Sequence, residues 1–308
     1  MTSASVATGV RVERVTPRIG AVIRGVDLAD DLSDEVVSEI RSTLLAHRVV
    51  FFREQYLDAA GHMAFASRLG TLTRAHPTLP PSPTHPALFD LDSQTGAAAN
   101  HWHTDVTFVQ RPPTFSVLRA IIIPELGGDT LWANTVAAYR DLRPSIRAMA
   151  DELRAVHTNG QDYGRSDVAK ASGRLRPEEL EHIRKFVSTV YEAEHPVVRI
   201  HAETNERALL LGGFAQKLVG HSTAESVDIL RTLQAYVTRP ENTVRWQWNE
   251  GDVAVWDNRS TQHYAICDYG TSRRRVERVT TAGIVPVGLD GEESAAIQGD
   301  ATDYYEAA

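Results

Sequence analysis

His101-Trp102-His103-Thr104-Asp105-Val106-Thr107-Phe108 is the stretch on which the fold and the chemistry of this chain depend. It places an imidazole and a carboxylate two residues apart, and in extended backbone residues i and i+2 point to the same side. His103 and Asp105 can therefore reach one metal ion. The pair alone is weak evidence, because 12 histidines and 40 acidic residues make His-x-acid pairs common by chance. The other such pair, His201-Ala202-Glu203, lies between two apolar runs and is typical of a hairpin turn.

A second stretch supplies what the first lacks. Gly251-Asp252-Val253-Ala254-Val255-Trp256-Asp257-Asn258 is strand-like and leads to His263 and then to two arginines, Arg274 and Arg278. We expect strand ends to converge at one mouth of a barrel, which would bring His263 to the first stretch. Two imidazoles and one carboxylate form the donor set of a non-haem iron site that keeps positions open for a co-substrate and oxygen.

The composition restricts the class of protein. The 308 residues are 42% hydrophobic and 23% charged, which are ordinary values for a globular chain. A formal net charge of −8 argues against nucleic acid or an anionic membrane as a partner, so a bound anion needs a local group of arginines or histidines. The single cysteine, Cys267, excludes a disulfide framework, and we expect it to be inert. No run suits a signal peptide or a membrane span, so we expect a cytoplasmic protein.

The apolar pattern predicts one α+β domain on a β-sandwich or jelly roll, because many strands are interrupted by helices without strand–helix alternation. Predicted helices follow an N-cap at Ser33 and cover residues 59–69, 135–153, 177–188 and 223–237. Predicted strands cover residues 10–28 as two strands, 49–52, 115–123, 130–133, 196–201, 207–211, 243–248, 252–257 and 275–284. Residues 74–100 are predicted to be a loop. We expect the domain to span residues 1–288 and residues 289–308 to form an acidic, flexible tail.

Several motifs occur in one order along nearly the whole chain. They are residues 102–108, 127–132, 195–199, 256–259 with His263, and 278–280. Together they resemble the taurine dioxygenase (TauD/TfdA) family of Fe(II)- and 2-oxoglutarate-dependent dioxygenases, most closely its bacterial alkylsulfatase-like members. The resemblance implies a distorted double-stranded β-helix (jelly roll) with flanking helices, in which His103, Asp105 and His263 hold the iron.

The resemblance also implies how 2-oxoglutarate binds. Its keto-acid end would chelate the iron, and its far carboxylate would pair with Arg274 and accept a hydrogen bond from Thr130. A buried carboxylate needs such partners, and the planar guanidinium of arginine suits it. Arg278 would face the substrate or the inner end of the co-substrate. Alternation along a strand would turn Arg274 away from its neighbours Arg273 and Arg275.

The expected reaction is hydroxylation of an aliphatic C–H bond in a small anionic substrate, with succinate and CO2 as products. Where the hydroxylated carbon carries a leaving group, collapse to an aldehyde and a free anion follows. His76 lies where relatives place a histidine that contacts a sulfonate. Ala99 replaces an asparagine of taurine-specific relatives and Leu79 replaces a tyrosine, so the pocket is less polar and suits a longer apolar substrate. Alkyl sulfates, sulfonates and other organic acids are the candidates.

Several alternatives stay open at this point. The same iron centre would also serve desaturation or cyclisation, whereas the presence of Asp105 argues against halogenation, because halogenating relatives lose this carboxylate. A zinc or manganese metallohydrolase, or a non-catalytic metal-binding protein, would use the same three donors. His101 is a rival ligand, His195 is interpreted as structural, and Trp246, Trp248 and Trp256 as core. Residues 159–174 are a candidate lid, and we expect a homo-oligomer, a dimer or tetramer.

Overall fold

The computed structural model describes residues 9–82, 84–96, 99–160 and 176–306. Within these residues the strands are β1 (Arg11–Arg14), β2 (Ala21–Arg24), β3 (Val49–Phe52), β4 (Phe89–Asp92), β5 (Phe115–Ile122), β6 (Thr130–Asn134), β7 (Arg154–Thr158), β8 (Glu192–Pro196), β9 (Val198–Ile200), β10 (Arg207–Leu209), β11 (Ala215–Leu218), β12 (Thr243–Trp246), β13 (Val253–Asp257), β14 (Thr261–Ala265), β15 (Arg275–Thr280) and β16 (Ala295–Gln298). The helices are α1 (Asp34–His47), α2 (Ala59–Leu69), α3 (Thr135–Arg140), α4 (Pro144–Asp151), α5 (Pro177–Phe186), α6 (Thr223–Val237) and α7 (Thr302–Tyr305). The prediction of an α+β chain is confirmed.

The largest sheet has seven strands in the order β1-β2-β3-β13-β5-β15-β4. Alternate residues of a strand point to opposite sides, so the apolar runs of the central strands β3 and β13 make both faces of the sheet apolar there. Val50 and Phe52 of β3 pack in the cluster that contains Ile40 of α1 and Phe65 of α2. Phe51, on the opposite face of β3, is fully buried in a different cluster. Burial of each such side chain contributes roughly 1.5–3 kcal/mol of hydrophobic stabilisation.

A three-stranded sheet, β12-β6-β14, packs against that second face. Trp132 and Trp246 of this sheet join Phe51 and Trp256 of the large sheet, and the Phe51 and Trp246 rings stack at 4.1 Å between centroids. The prediction that the tryptophans belong to the core is confirmed. Residues 258–260 form a turn between β13 and β14, so the chain passes here from the large sheet to the small one and carries His263 with it.

A third layer consists of the four-stranded sheet β11-β7-β8-β16 and helices α3 and α6. Leu233 and Val237 of α6 are fully buried in it. The short hairpin of β9 and β10 pairs Ile200 with Arg207, which confirms that His201-Ala202-Glu203 belongs to a turn. Within the described part of the chain, no helix is long and apolar enough to cross a membrane.

The structure differs from the sequence prediction in three respects. The helix expected over residues 135–153 is two helices, α3 and α4, because Arg143 precedes Pro144 and takes an extended conformation, φ −61° and ψ 147°. The expected loop of residues 74–100 contains β4, an edge strand held by β15. Strands β7, β8, β11 and β14 were not predicted, since histidines and other polar residues interrupt their apolar pattern. Strand β16 was not predicted either, and its four residues are exposed.

Residues 289–306, expected to belong to a flexible tail, pack against the domain in this structure. Strand β16 pairs with β8, and Tyr304 retains only 2% of its surface exposure. The acidic composition concealed this order, because Tyr304 packs in an apolar cluster formed by residues far apart in the chain.

Candidate metal centre and its cavity

Three donor side chains meet where a short strand-like bridge joins two distant parts of the chain. His103 and His263 exchange two backbone hydrogen bonds, from His103 N to His263 O at 3.0 Å and from His263 N to His103 O at 2.8 Å. Asp105 Oδ1 lies 3.8 Å from His103 Nε2 and 3.7 Å from His263 Nε2. One ligand atom from each residue lies within 4.8 Å of the others, and all three side chains are buried.

The electrostatics of the three residues suit a divalent cation. His103 Nδ1 lies 2.7 Å from the carbonyl oxygen of His101 and donates to it, which leaves Nε2 as the lone-pair nitrogen. Burial lowers the pKa of His103 to about 4 and the pKa of His263 well below its ordinary value, so both rings are neutral. Burial alone would raise the pKa of Asp105, but Arg278 and the two histidines lower it to about 2. Neutral imidazoles and an ionised carboxylate are the forms that bind metal.

A chain of hydrogen bonds orients the carboxylate of Asp105 through Oδ2, the oxygen that lies farther from the Nε2 atoms of the two histidines. Ser116 Oγ donates to Asp105 Oδ2 at 2.7 Å, Asn258 Nδ2 donates to Ser116 Oγ at 2.8 Å, and Trp256 Nε1 donates to Asn258 Oδ1 at 3.0 Å. Such outer-shell partners fix the geometry of a ligand. Sequence reasoning missed Ser116, although a serine within the apolar run of β5 was a signal that a polar group is needed there.

Thr130 and Arg274 form a second polar region of the same cavity. Arg274 is only 8% exposed, donates from Nε to Gly128 O at 2.9 Å and has Nη2 3.4 Å from Thr130 Oγ1. Trp248 Nε1 donates to the same hydroxyl at 2.9 Å. Gly128 has φ +75°, and a Cβ there would stand 3.0 Å from the Cδ of Arg274, so glycine makes the close approach feasible.

Arg274 has no carboxylate within ion-pair distance among the described residues. Its neighbours differ, since Arg273 pairs with Asp92 and Arg275 with Asp90 at the edge of the sheet. Burial lowers the pKa of Arg274. A buried guanidinium of this kind is a ready site for an added carboxylate.

The predicted substrate residues line this cavity as well, which encloses about 1000 Å³ including its open mouth. His76 Nδ1 accepts from the backbone N–H groups of Thr78 and Leu79 at 3.1 Å each. Burial lowers the pKa of His76 well below its ordinary value, so the neutral ring carries its proton on Nε2 and is a donor there. Arg278 hydrogen-bonds Asp105 Oδ1.

Much of the remaining cavity wall is apolar, and sequence reasoning missed most of it. The additional residues lining it include Phe89, Val106, His182, Phe186 and Phe214. They come from β4, α5 and loops far apart in the chain, so no local pattern connects them. Val106, directly after Asp105, has φ +51°, a strained conformation for a β-branched residue that costs about 1–3 kcal/mol.

The structure also places three other residues with predicted roles. His101 lines a separate surface groove, and its carbonyl rather than its ring serves the site. His195 is fully buried outside the cavity, between Thr107 and Ser294. Cys267 is exposed at the cavity. The candidate lid of residues 159–174 lies, beyond residue 160, outside the described residues.

Comparisons with known proteins agree with this geometry. The family model "Taurine catabolism dioxygenase TauD, TfdA family" matches residues 11–280. An alpha-ketoglutarate-dependent sulfate ester dioxygenase of Pseudomonas putida is 50% identical over 301 residues, covering 96% of this chain and 98% of its own. An alkylsulfatase of Acinetobacter baylyi is 50% identical over 283 residues, covering 91% of this chain and 87% of its own.

A solved structure shows the same fold. The taurine dioxygenase from Burkholderia xenovorans superimposes with a TM-score of 0.80 at 38% identity, covering 96% of this chain and 98% of that one. The resemblance found in the sequence motifs is thereby confirmed. This chain belongs to the TauD/TfdA family of taurine catabolism dioxygenases.

Proposed function

We propose that this protein is an Fe(II)- and 2-oxoglutarate-dependent dioxygenase that cleaves alkyl sulfate esters. The observation that carries the proposal is one cavity holding a buried two-histidine, one-carboxylate cluster together with Arg274, a buried cation that lacks a carboxylate partner among the described residues. A metallohydrolase would need the three donors but would have no use for Arg274 and Thr130. Two relatives, each 50% identical, carry the names sulfate ester dioxygenase and alkylsulfatase.

The iron would be held by His103, Asp105 and His263. When bound, Fe(II) would couple O2 to the oxidative decarboxylation of 2-oxoglutarate, with one oxygen atom passing to succinate and the other into a substrate C–H bond, and CO2 released. The chain contributes neutral imidazoles, an ionised carboxylate held by Ser116, and a largely buried site.

Arg274 and Thr130 would hold the far carboxylate of 2-oxoglutarate. The guanidinium offers a planar pair of donors, and the Thr130 hydroxyl already accepts from Trp248, so its own proton is available for the carboxylate. The fixed position of Arg274 against Gly128 would set how far 2-oxoglutarate reaches toward the metal.

The sulfate head group would lie between His76 and Arg278, next to the metal cluster. Its alkyl chain would follow the apolar wall formed by Leu79, Phe89 and Phe214. Hydroxylation of the carbon that carries the ester oxygen gives R–CH(OH)–OSO3⁻, which collapses to the aldehyde R–CHO and hydrogen sulfate. Ala99 and Leu79 make this pocket less polar than one built for taurine.

The finer fold and assembly are part of the same proposal. The large sheet and the three-stranded sheet that packs on it would form the distorted double-stranded β-helix of one domain. That domain, expected over residues 1–288, would also include the C-terminal strand β16. Self-association as a dimer or tetramer and a cytoplasmic location stay predictions.

A product assay tests the function. Purified protein with Fe(II), ascorbate and 2-oxoglutarate is incubated with hexyl sulfate, taurine, an aryloxyalkanoate or a fatty acid. We expect oxygen-dependent succinate, aldehyde and sulfate in equal amounts with hexyl sulfate, and none with His103→Ala. Hexanol in place of the aldehyde, released without oxygen, would establish a hydrolase. Succinate formed while none of the four compounds yields an aldehyde would point to another substrate.

A further inference from the structure

The C-terminal segment (residues 294–305) lies beyond residue 280, where the match to the family model ends. It is nevertheless tightly held, since β16 pairs with β8, and Ser294 and Tyr304 each retain only 2% of their surface exposure. Its contacts reach three different parts of the chain that carry cavity residues.

The first contact runs to the loop that follows Asp105. His195 Nε2 lies 2.7 Å from the carbonyl oxygen of Thr107, and a carbonyl oxygen only accepts, so Nε2 carries the proton. Burial lowers the pKa of His195 to about 3, and the neutral ring therefore accepts at Nδ1 from Ser294 Oγ at 2.7 Å. Ser294 is thus connected through one imidazole to the residue two positions after Asp105.

The same loop is held at its far end. Gln110 Nε2 donates to the carbonyl oxygen of Ser294 at 2.9 Å. The Tyr305 hydroxyl accepts from the backbone N–H of Arg111 at 3.0 Å, and the Arg111 guanidinium lies 3.8 Å from the centre of the Tyr305 ring. Residues 107–111 are therefore contacted at both ends by the C-terminal segment.

Tyr304 reaches the other two parts. Its carbonyl oxygen accepts from the backbone N–H of Arg74 at 3.0 Å, two residues before His76. Its hydroxyl lies 3.5 Å from the Thr280 hydroxyl, two residues after Arg278, and Thr280 bonds Thr73 at 2.6 Å.

The ring of Tyr304 also belongs to the apolar cluster that forms the cavity wall. This cluster contains Leu79, Phe89, Val106, Phe186 and Phe214. Removal of the ring would leave a void behind that wall, and cores relax only partly around such voids.

We propose that the C-terminal segment is a positioning element for the substrate side of the site. In it, Tyr304 holds the loop that carries His76 and the strand that carries Arg278, and Tyr305 holds the loop after Asp105. This inference rests on the proposed function for the identity of the substrate. Arg274 and Thr130 bond instead to Gly128 and Trp248, so we expect the 2-oxoglutarate side to depend little on the segment.

The test compares Tyr304→Ala and Tyr305→Ala with Tyr304→Phe, which keeps the ring. The matched control is Tyr236→Ala, which removes a buried tyrosine from the cluster around α6. Two readouts are used: amide hydrogen exchange of residues 73–79 and 105–111 in the metal-free protein, and the KM values for hexyl sulfate and for 2-oxoglutarate.

We expect Tyr304→Ala to raise the KM for hexyl sulfate about tenfold, since small misplacements of site groups have effects of at least this size. The KM for 2-oxoglutarate stays unchanged, and Tyr304→Phe keeps values near wild type. Amide exchange accelerates in residues 73–79 of Tyr304→Ala and in residues 105–111 of Tyr305→Ala. The proposal would be overturned if Tyr304→Ala lost stability as Tyr236→Ala does but kept the wild-type KM for hexyl sulfate and wild-type exchange in both segments. If the wild-type protein does not convert hexyl sulfate, the proposed function fails, and hydrogen exchange still decides this inference. If Tyr304→Ala does not fold, Tyr305→Ala is the test variant in its place.

Discussion

The guanidinium of Arg278 hydrogen-bonds Oδ1 of Asp105, the carboxylate oxygen that also lies nearest to the two histidine ligand atoms. Arg278 therefore balances a buried charge that a metal ion would share. Arg278→Gln should destabilise the metal-free protein by about 3 kcal/mol, because it leaves Asp105 buried without its cation. Mn(II) should then raise the melting temperature more in the variant than in wild type.

Arg275→Gln is the control for this experiment, since Arg275 pairs with Asp90 at a partly exposed edge and such pairs contribute about 1 kcal/mol or less. Equal shifts on adding Mn(II) to wild type and Arg278→Gln would show that Arg278 does not balance Asp105.

Ser116 should control metal affinity without contacting the metal. Ser116→Ala removes the donor to Asp105 Oδ2 and leaves Asn258 Nδ2 without that acceptor. We expect Mn(II) affinity to fall about 10–100-fold, as is usual when an outer-shell partner is lost. Calorimetric titration measures it, and Ser226→Ala, at a fully buried serine that accepts from Leu218 N, is the control that should bind Mn(II) normally.

Thr130 and Arg274 should affect the KM for 2-oxoglutarate and leave the affinity for the metal unchanged. Thr130→Val keeps the shape of the side chain and removes one hydrogen bond to a charged group, which corresponds to about 1.5–3 kcal/mol, or roughly 10–100-fold in the KM for 2-oxoglutarate. Mn(II) affinity should not change. Arg273→Gln, whose guanidinium faces Asp92 outside the cavity, should leave that KM as it is. An unchanged KM in Thr130→Val would remove this residue from the co-substrate site.

Asp257 should govern stability in acid. Its carboxylate accepts from Arg259 and from His201 Nε2, each at 2.8 Å. Burial alone would raise the pKa of Asp257, but these partners lower it well below its ordinary value. A lowered folded-state pKa gives stability that is complete well above the unfolded pKa of about 3.9 and is lost as the pH falls through it toward the folded value.

Asp257→Asn should therefore cost about 3 kcal/mol at pH 7 and progressively less below about pH 4, because breaking a buried pair is strongly destabilising only while the pair is charged. Urea unfolding of both proteins across this range measures the difference. Asp31→Asn, at a fully exposed side chain, should show no such trend. A constant difference from pH 7 to pH 3 would contradict the assignment.

Local sequence patterns predicted the elements whose residues carry their own signals. Ser33 accepts from Val36 N and caps α1, as expected from its position before Asp34 and Glu35. The fully apolar run of β3 is a buried central strand. The same patterns failed over residues 135–153, where Pro144, the first residue of α4, keeps Arg143 extended and divides the predicted helix in two.

The donor set of the site was readable from the sequence, since His103 and Asp105 are two residues apart and the motif order pointed to His263. Only the tertiary structure decided what surrounds that set. Ser116, Phe214 and Tyr304 are ordinary residues in sequence, and their roles arise from strands and loops far apart in the chain.

The physical reason is that ligand type and spacing are local properties, whereas hydrogen-bond partners and cavity walls depend on long-range packing. The chain by itself determined which side chains can bind a metal and which strands and helices its apolar periods favour. The packing of the sheets decided that Arg274 is buried without a carboxylate partner among the described residues, while Arg273 and Arg275 are paired. It also decided that the acidic C-terminal segment packs against the loops of the site, where Tyr304 is buried and the Tyr305 hydroxyl accepts from the backbone of Arg111.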